Sequence, residues 1–350
     1  MKIIHCSDIH LDSPLTGNFP AEKSEERRNE ILLTFIRMVK YARGQGVRAI
    51  IIAGDWFDDK RISPSTASIL TKCLIDSPEI DFLYLSGNHD KQENLGAALI
   101  KRVFGKAPAN LKILDGNVIR LEDDIVVAGV FTPDELDLDP GDTNIVVYHG
   151  EIDPAAWKHR EIDYLALGHY HSLKEGRLDA RGIYCYSGSI EGRGFDECGE
   201  KGFIRLDIAG RENEPKKITP TFVKASKRTI HAIDLDISGL RNTGEIDARI
   251  EEALVGISPS DMIKISLCGN AAMDSERNLS YLEKKYGEVF YLVRIDDKRV
   301  VTGNYKNTIE YDKSLKGEFI REVMKAGYSE EVKNAVIEAG LAALSGAEIR

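Results

Sequence analysis

Hydrophobic positions in the first ninety residues alternate between two periods. Residues 1–6 make a short apolar run that ends in Ser7-Asp8-Ile9-His10. Then Ile31, Leu32, Phe35, Ile36, Val39 and Ala42 recur at helical spacing, with Gly44 and Gly46 near the end, so a helix is predicted there. Ala49-Ile50-Ile51-Ile52 is apolar at every position, as a strand covered on both faces should be, and it runs into Gly54-Asp55. Ser63-Pro64 reads as an N-cap with proline in the first turn, and its helix carries Ile69, Leu70, Cys73 and Leu74. Phe82-Leu83-Tyr84-Leu85 then leads into Gly87-Asn88-His89-Asp90. The order is βαβαβ, and each strand hands polar residues to the loop at its C-terminal end, the edge where open α/β sheets bind ligands.

Beyond residue 110 the pattern turns β-rich. Asp115-Gly116 is a hairpin signal between Leu111-Lys112-Ile113-Leu114 and Val118-Ile119-Arg120-Leu121. Further strands are predicted at 125–130, 145–148, 164–167, 183–186 and 203–208, two of them leading to His149 and to the His169/His171 pair. The stretch from Glu214 to Ile230 holds Lys216, Lys217, Lys224, Lys227 and Arg228 against one acid, with two prolines, and reads as a domain boundary. Strand, helix, strand, helix, strand follow at 229–237, 243–255, 262–267, 275–286 and 289–295. Two amphipathic helices close the chain. One carries Phe319, Ile320, Val323 and Met324; the other Val332, Val336, Ala339 and Leu344. The expected organisation is a first domain over 1–215, a small α/β domain over 222–300 and a helical tail over 301–350.

Composition narrows the classes. Hydrophobic residues make up 42% and charged residues 30%, which fits a globular protein with ample core. The net charge of -10 and pI near 5.4 are not those of a protein that binds nucleic acid by charge alone. A nuclease remains compatible, because divalent cations at its site would offset local carboxylates. Five scattered cysteines without a CxxC pair suit a reducing compartment. Residues 1–5 lead quickly into polar positions, and no run approaches the ~20 apolar residues of a membrane span. The expectation is a cytoplasmic protein without a membrane segment.

Five short segments concentrate the unusual side chains: Asp8-x-His10, Gly54-Asp55-x-x-Asp58, Gly87-Asn88-His89-Asp90, His149-Gly150 and Gly168-His169-x-His171. Alone, each has a plain reading as a turn or a structural histidine. All five follow apolar strands, and their donor types complement one another. Carboxylate, amide oxygen and imidazole suit Mn, Fe or Zn. Asp8, His10, Asp55, Asn88, His149, His169 and His171 are too many ligands for one ion, and a carboxylate can bridge two ions roughly 3.5–4 Å apart. Such a pair acidifies a bound water to a hydroxide nucleophile and neutralises phosphoryl charge during in-line displacement.

In this order the segments resemble the calcineurin-like metallophosphoesterase superfamily, over about residues 1–210. The resemblance implies an α/β fold, a two-sheet sandwich flanked by helices. It implies that Asp8, His10 and His171 hold one ion, that Asn88, His149 and His169 hold the other, and that Asp55 bridges. His89 would protonate the leaving oxygen or stabilise transition-state charge, with Asp58, or else Asp90, as the partner that orients it. The opening His5-Cys6-Ser7-Asp8-Ile9-His10-Leu11-Asp12-Ser13-Pro14, with Ser187-Gly188-Ser189 and Gly194-Phe195-Asp196-Glu197-x-Gly199-Glu200-Lys201-Gly202, is similar to the SbcD-type DNA repair exonucleases, YhaO-like branch. That narrower resemblance implies Mn-dependent cleavage of DNA, with Fe or Zn as alternative ions, and a small α/β capping domain. It also implies an SbcC-type ABC ATPase partner docked near 314–345 and a homodimer among the assemblies. A phosphodiesterase for a small nucleotide or other soluble ester is the alternative. Lys216–Arg228 is the candidate phosphate-binding stretch, or else a solvated linker.

Overall fold

The computed structural model describes residues 1–17, 19–58, 62–88, 103–210, 215–271, 278–301 and 314–344. The chain divides into two compact units, Met1–His231 and Ala232–Arg350. The first runs β1 (Lys2–Cys6), α1 (Ala21–Gln45), β2 (Ala49–Ala53), α2 (Pro64–Ile75), β3 (Asp81–Leu85), β4 (Leu111–Ile113), β5 (Val118–Glu122) and β6 (Ile125–Gly129). It continues with β7 (Thr143–His149), β8 (Tyr164–Gly168), β9 (Lys174–Arg177), β10 (Ile183–Tyr186), β11 (Gly202–Ala209) and β12 (Lys217–Lys224). Two six-stranded sheets result, β12-β11-β1-β2-β3-β4 and β5-β6-β7-β8-β10-β9.

The continuous apolar runs are explained by strands with two buried faces. Ile3, Ala49, Ile51, Ala53, Leu83 and Leu85 of the first sheet share one core with Ile125, Val127, Ile145, Val147, Tyr164 and Ala166 of the second. Alternation turns Ile50, Ile52, Phe82 and Tyr84 to the opposite face, and they too are buried. β1, β2, β3 and β4 are parallel neighbours, as are β6, β7 and β8, so their C-terminal ends gather on common edges.

The α2 start is built as its sequence predicts. Ser63 Oγ accepts from Thr66 N at 3.1 Å. The Asp12 carboxylate adds bonds from Ser63 N at 2.7 Å and Thr66 Oγ1 at 2.9 Å, which ties the loop after β1 to this helix.

Two local readings are corrected. Asp115-Gly116 is a turn but not a hairpin turn, because β4 pairs with β3 in one sheet and β5 pairs with β6 in the other. Asp115 is held to the end of β3 by Ser86 N at 2.8 Å and Ser86 Oγ at 2.6 Å, while buried Leu114 drops into the inter-sheet core. The crossing between sheets therefore wins over local pairing. Residues 217–224 are not a linker: they form β12, paired antiparallel with β11 from Gly202↔Lys224 to Ala209↔Lys217.

The second unit holds most of β13 (Ile230–Asp236), then α3 (Thr243–Ala253), β14 (Met262–Cys268), β15 (Asn270–Ala271), α4 (Leu279–Gly287), β16 (Leu292–Asp297) and β17 (Val300–Val301). β13, β14 and β16 make a three-stranded sheet, and β15 pairs with β17. The last helices are α5 (Leu315–Lys325) and α6 (Glu330–Leu344). Phe319, Ile320, Val323 and Met324 pack as predicted, against Ile337. The predicted face of α6 is turned outward instead: Ile337 is buried, and Val332, Val336 and Ala339 are exposed. No helix among the described residues is long and apolar enough to cross a membrane.

His5 sits between the sheets, fully buried, with Nδ1 2.9 Å from the Tyr164 hydroxyl. Burial pushes its pKa down from 6.5 to about 3, against a weaker opposing hydrogen bond at Leu167. The folded chain thus keeps His5 neutral where the unfolded chain protonates it. Its effect on stability is nil above pH 6.5, and below that stability falls with pH by about 1.4 kcal/mol per unit until the folded value is reached. Urea unfolding from pH 7 to 4 should show this slope flattened in His5→Gln. Equal slopes in the two proteins would remove His5 as the cause.

Candidate metal centre

The five segments meet where the C-terminal ends of the two sheets are stitched together. Asp8 follows β1, and its backbone N donates to Gly54 O at 3.2 Å; Ile9 N and His10 N both donate to Asp55 O, at 2.9 and 3.0 Å. The loops after β1 and β2 are thus zipped side by side. From the second sheet, His169 N donates to both Asp8 oxygens at 3.1 and 3.0 Å, and His149 Nδ1 lies 2.9 Å from Ala53 O. Asp8, His10, Asp55 and His169 have φ of 50°, 48°, 50° and 111°. Positive φ is costly for non-glycine residues, and such outliers mark sites whose surroundings enforce an unusual presentation of the side chain.

Two glycines make room for the convergence. A Cβ on Gly87 would fall 2.0 Å from Asp55 Oδ1, and one on Gly168 1.9 Å from the Ala53 carbonyl oxygen. These contacts give the Gly-Asn and Gly-His pairs their physical meaning.

The donor atoms form two overlapping groups. Ligand atoms of Asp8, His10 and His171 lie within 4.8 Å of one another, as do those of Asp8, Asp55 and His149. Asp55 Oδ2 lies 3.7 Å from His10 Nε2 and 3.3 Å from His149 Nε2, so it faces both groups, as a bridge would. His171 Nε2 is 3.7 Å from Asp8 Oδ1. Ligands at the ~2.1 Å bond lengths of such ions sit roughly 3–3.5 Å apart, close to these separations. Asn88 Oδ1 is 2.7 Å from His149 Nε2, and the His149 and His169 rings meet edge to face with centroids 5.7 Å apart. His89 and Asp90 lie outside the described residues.

Each of three imidazoles is held by its other nitrogen. His10 Nδ1 is 2.8 Å from Asp58 Oδ1, His171 Nδ1 is 2.7 Å from Glu197 Oε1, and His149 Nδ1 faces the Ala53 carbonyl. These acceptors fix the Nδ1–H tautomer and leave Nε2 to face the carboxylates, the arrangement that orients metal-bound histidine. Asp58 thus supports His10, while the partner expected for it, His89, lies outside the described residues. Burial raises the Asp58 and Glu197 carboxyls, but bonds from His10 and His171 and the nearby Arg193 charge outweigh it; Glu197 falls to about 2 and Asp58 below the ordinary range. Burial lowers the His10 pKa, which favours the neutral ring. For His149 burial also opposes charge, but Asp55 and Asp8 raise its pKa. The donor set and its supports fit two divalent ions.

Sequence reading gave no role to Arg193 or Glu197. Glu197 does lie in the Gly194–Gly202 motif that carries the narrower resemblance, and Arg193 stands just before it. The candidate basic stretch is engaged within the chain: Lys216 pairs with Asp124 at 2.6 Å, Lys224 with Glu200 at 3.1 Å, and Lys227 and Arg228 with Glu30, both at 2.7 Å.

Residues 1–173 match the calcineurin-like phosphoesterase family. The chain is also similar to proteins called DNA double-strand break repair protein Mre11. That of Haloferax volcanii is 25% identical over 282 residues, covering 72% of this chain and 58% of the relative. That of Methanosarcina acetivorans is 25% identical over 317 residues, 81% and 48%. That of Aeropyrum pernix is 24% identical over 356 residues, 88% and 83%. The chain thus spans about half the length of the first two.

Proposed function

Because residues 1–173 are a calcineurin-like phosphoesterase domain, we propose that this hydrolase cleaves phosphodiester bonds of DNA as a nuclease of the SbcD type, an exonuclease in DNA repair. The observation that carries the reading is the set of three histidines, each anchored through Nδ1, whose Nε2 atoms face Asp8 and Asp55. Asp8, His10 and His171 would hold one ion, Asn88, His149 and His169 the other, with Asp55 between them. When bound, the ions, Mn in our reading, supply an acidified water as nucleophile and neutralise charge on the phosphate. The protein's own part is to present Nε2 atoms of anchored imidazoles and to keep Asp8 and Asp55 held from both sheets. His89 would donate a proton to the leaving oxygen. The similarity to Mre11 proteins supports DNA as the substrate.

The tail supports a partner. Val332, Val336 and Ala339 form an exposed apolar face on α6, suited to an ATPase of the SbcC type that presents a coiled coil. We place the reaction in the cytoplasm, a setting that five free cysteines suit.

End-labelled single- and double-stranded DNA with added Mn tests the reading, beside EDTA and a His89→Ala control. The expected result is Mn-dependent degradation lost in both controls. Turnover of bis-p-nitrophenyl phosphate without DNA cleavage would move the substrate to a small diester, and loss of neither activity with EDTA would end the metal reading. In the same preparation, a chain lacking 314–350 should keep small-ester hydrolysis but lose capture by the ATPase; retained capture would exclude the tail as the docking element.

A further inference from the structure

Arg193 lies between the two carboxylates that hold imidazoles of the metal centre. Its Nη1 is 3.3 Å from Asp58 Oδ1 and its Nε 3.0 Å from Glu197 Oε1. Those same two oxygens meet Nδ1 of His10 at 2.8 Å and Nδ1 of His171 at 2.7 Å. One guanidinium therefore joins the supports of two histidines that come from different sheets. The Arg193 side chain is only 16% exposed, and its Nη2 packs 3.2 Å from His171 Nδ1. The backbone under it is fixed as well: Arg193 N donates to Glu197 Oε2 at 3.1 Å, and Arg27 Nη2 donates to Gly192 O at 2.7 Å.

Charge explains why an arginine belongs there. Asp58 and Glu197 are half-buried or buried acids beside Asp8 and Asp55, so four carboxylates crowd one small region. A fixed cation offsets that repulsion. The planar fork of arginine can serve two carboxylates at once, which the point charge of lysine cannot do in the same way. The other half of the centre is supported differently. His149 takes its Nδ1 partner from the Ala53 backbone carbonyl rather than from a carboxylate.

We infer that Arg193 is a positioning residue for one ion only: by tying Asp58 to Glu197 it fixes the rings of His10 and His171, and so sets the affinity of the ion that these histidines and Asp8 would hold. The inference rests on the two-ion reading above. It predicts an asymmetry that a general structural role would not produce.

Titration of the metal-stripped full chain with Mn, followed by calorimetry and by the EPR signal of free Mn, tests it in wild type, Arg193→Ala and Arg193→Lys. In Arg193→Ala one of two ions should bind about 10–100-fold more weakly, the usual cost of losing an outer support, while the other shifts little. Arg193→Lys should recover part of the loss. Two ions bound by Arg193→Ala as tightly as by wild type, or both weakened equally, would overturn the inference alone. Wild type binding fewer than two ions would overturn the two-ion reading and this inference with it. Should Arg193→Ala not fold, Arg193→Lys decides: wild-type affinity for both ions overturns the inference, and selective weakening of one supports it.

Discussion

Asp55→Asn is expected to keep its fold, to lose tight binding of both ions and to lower turnover of bis-p-nitrophenyl phosphate by about a hundredfold or more, the scale on which a preorganised electrostatic group matters. The argument is geometric. Asp55 Oδ2 faces Nε2 of His10 and Nε2 of His149, one from each half of the centre. An amide has the same size but not the charge, so it would hold two cations far less tightly than the carboxylate. The fold should survive, because the backbone carbonyl of Asp55, not its side chain, accepts from Ile9 and His10. Metal content by mass spectrometry and steady-state kinetics check the two parts separately. A variant that retains two ions per chain would remove Asp55 as the bridge; one that loses ions but keeps turnover would remove the ions from the chemistry.

Much of this was legible because burial writes itself into a strand. Ala49–Ile52 is apolar throughout since one face meets the other sheet and the opposite face is buried too. The polar residues that end such runs had to be there for another reason, and Asp8, Asp55 and His149 do converge. What sequence could not give was the partner of each local signal. Asp115-Gly116 announces a turn, but which strands it joins depends on a parallel pairing with β3 made some thirty residues away. β12 was hidden by Pro220 and by its lysines. It is an outer strand, where proline does least harm, and Pro220 sits opposite Leu206. Arg193 and Glu197 stand in no strand or helix pattern that points to the metal segments, and only tertiary burial turns them into supports of His171 and His10. The ion pairs of Lys216, Lys224, Lys227 and Arg228 were hidden in the same way, since a charge's partner across the fold is invisible to local pattern.

Glu191→Ala is expected to destabilise the protein by about 3–5 kcal/mol, the range for breaking a buried ion pair by removing one partner. Glu191 is buried against α1, where it accepts from Arg27 Nη2 at 3.0 Å and Thr34 Oγ1 at 2.7 Å, and it also accepts from Lys227 N at 2.7 Å. Arg27 is itself fully buried and keeps Glu30 as its other acid. Glu30 in turn takes Lys227 and Arg228, whose bonds hold its carboxyl down at about 2 although burial opposes this. Truncating Glu191 therefore leaves the buried Arg27 with Glu30 as its one remaining acid, an acid it shares with Lys227 and Arg228, and takes the acceptor from the Thr34 hydroxyl and Lys227 N, so the desolvation penalty rather than a lost contact sets the size of the effect. Urea unfolding near pH 7 gives the value, and a change under about 1 kcal/mol would mean that water replaces the carboxylate. The double variant Arg27→Met with Glu191→Leu separates the explanations. If stranding is the cause, removing both charges should recover most of the stability lost by Glu191→Ala, whereas additive losses would assign the effect to packing alone.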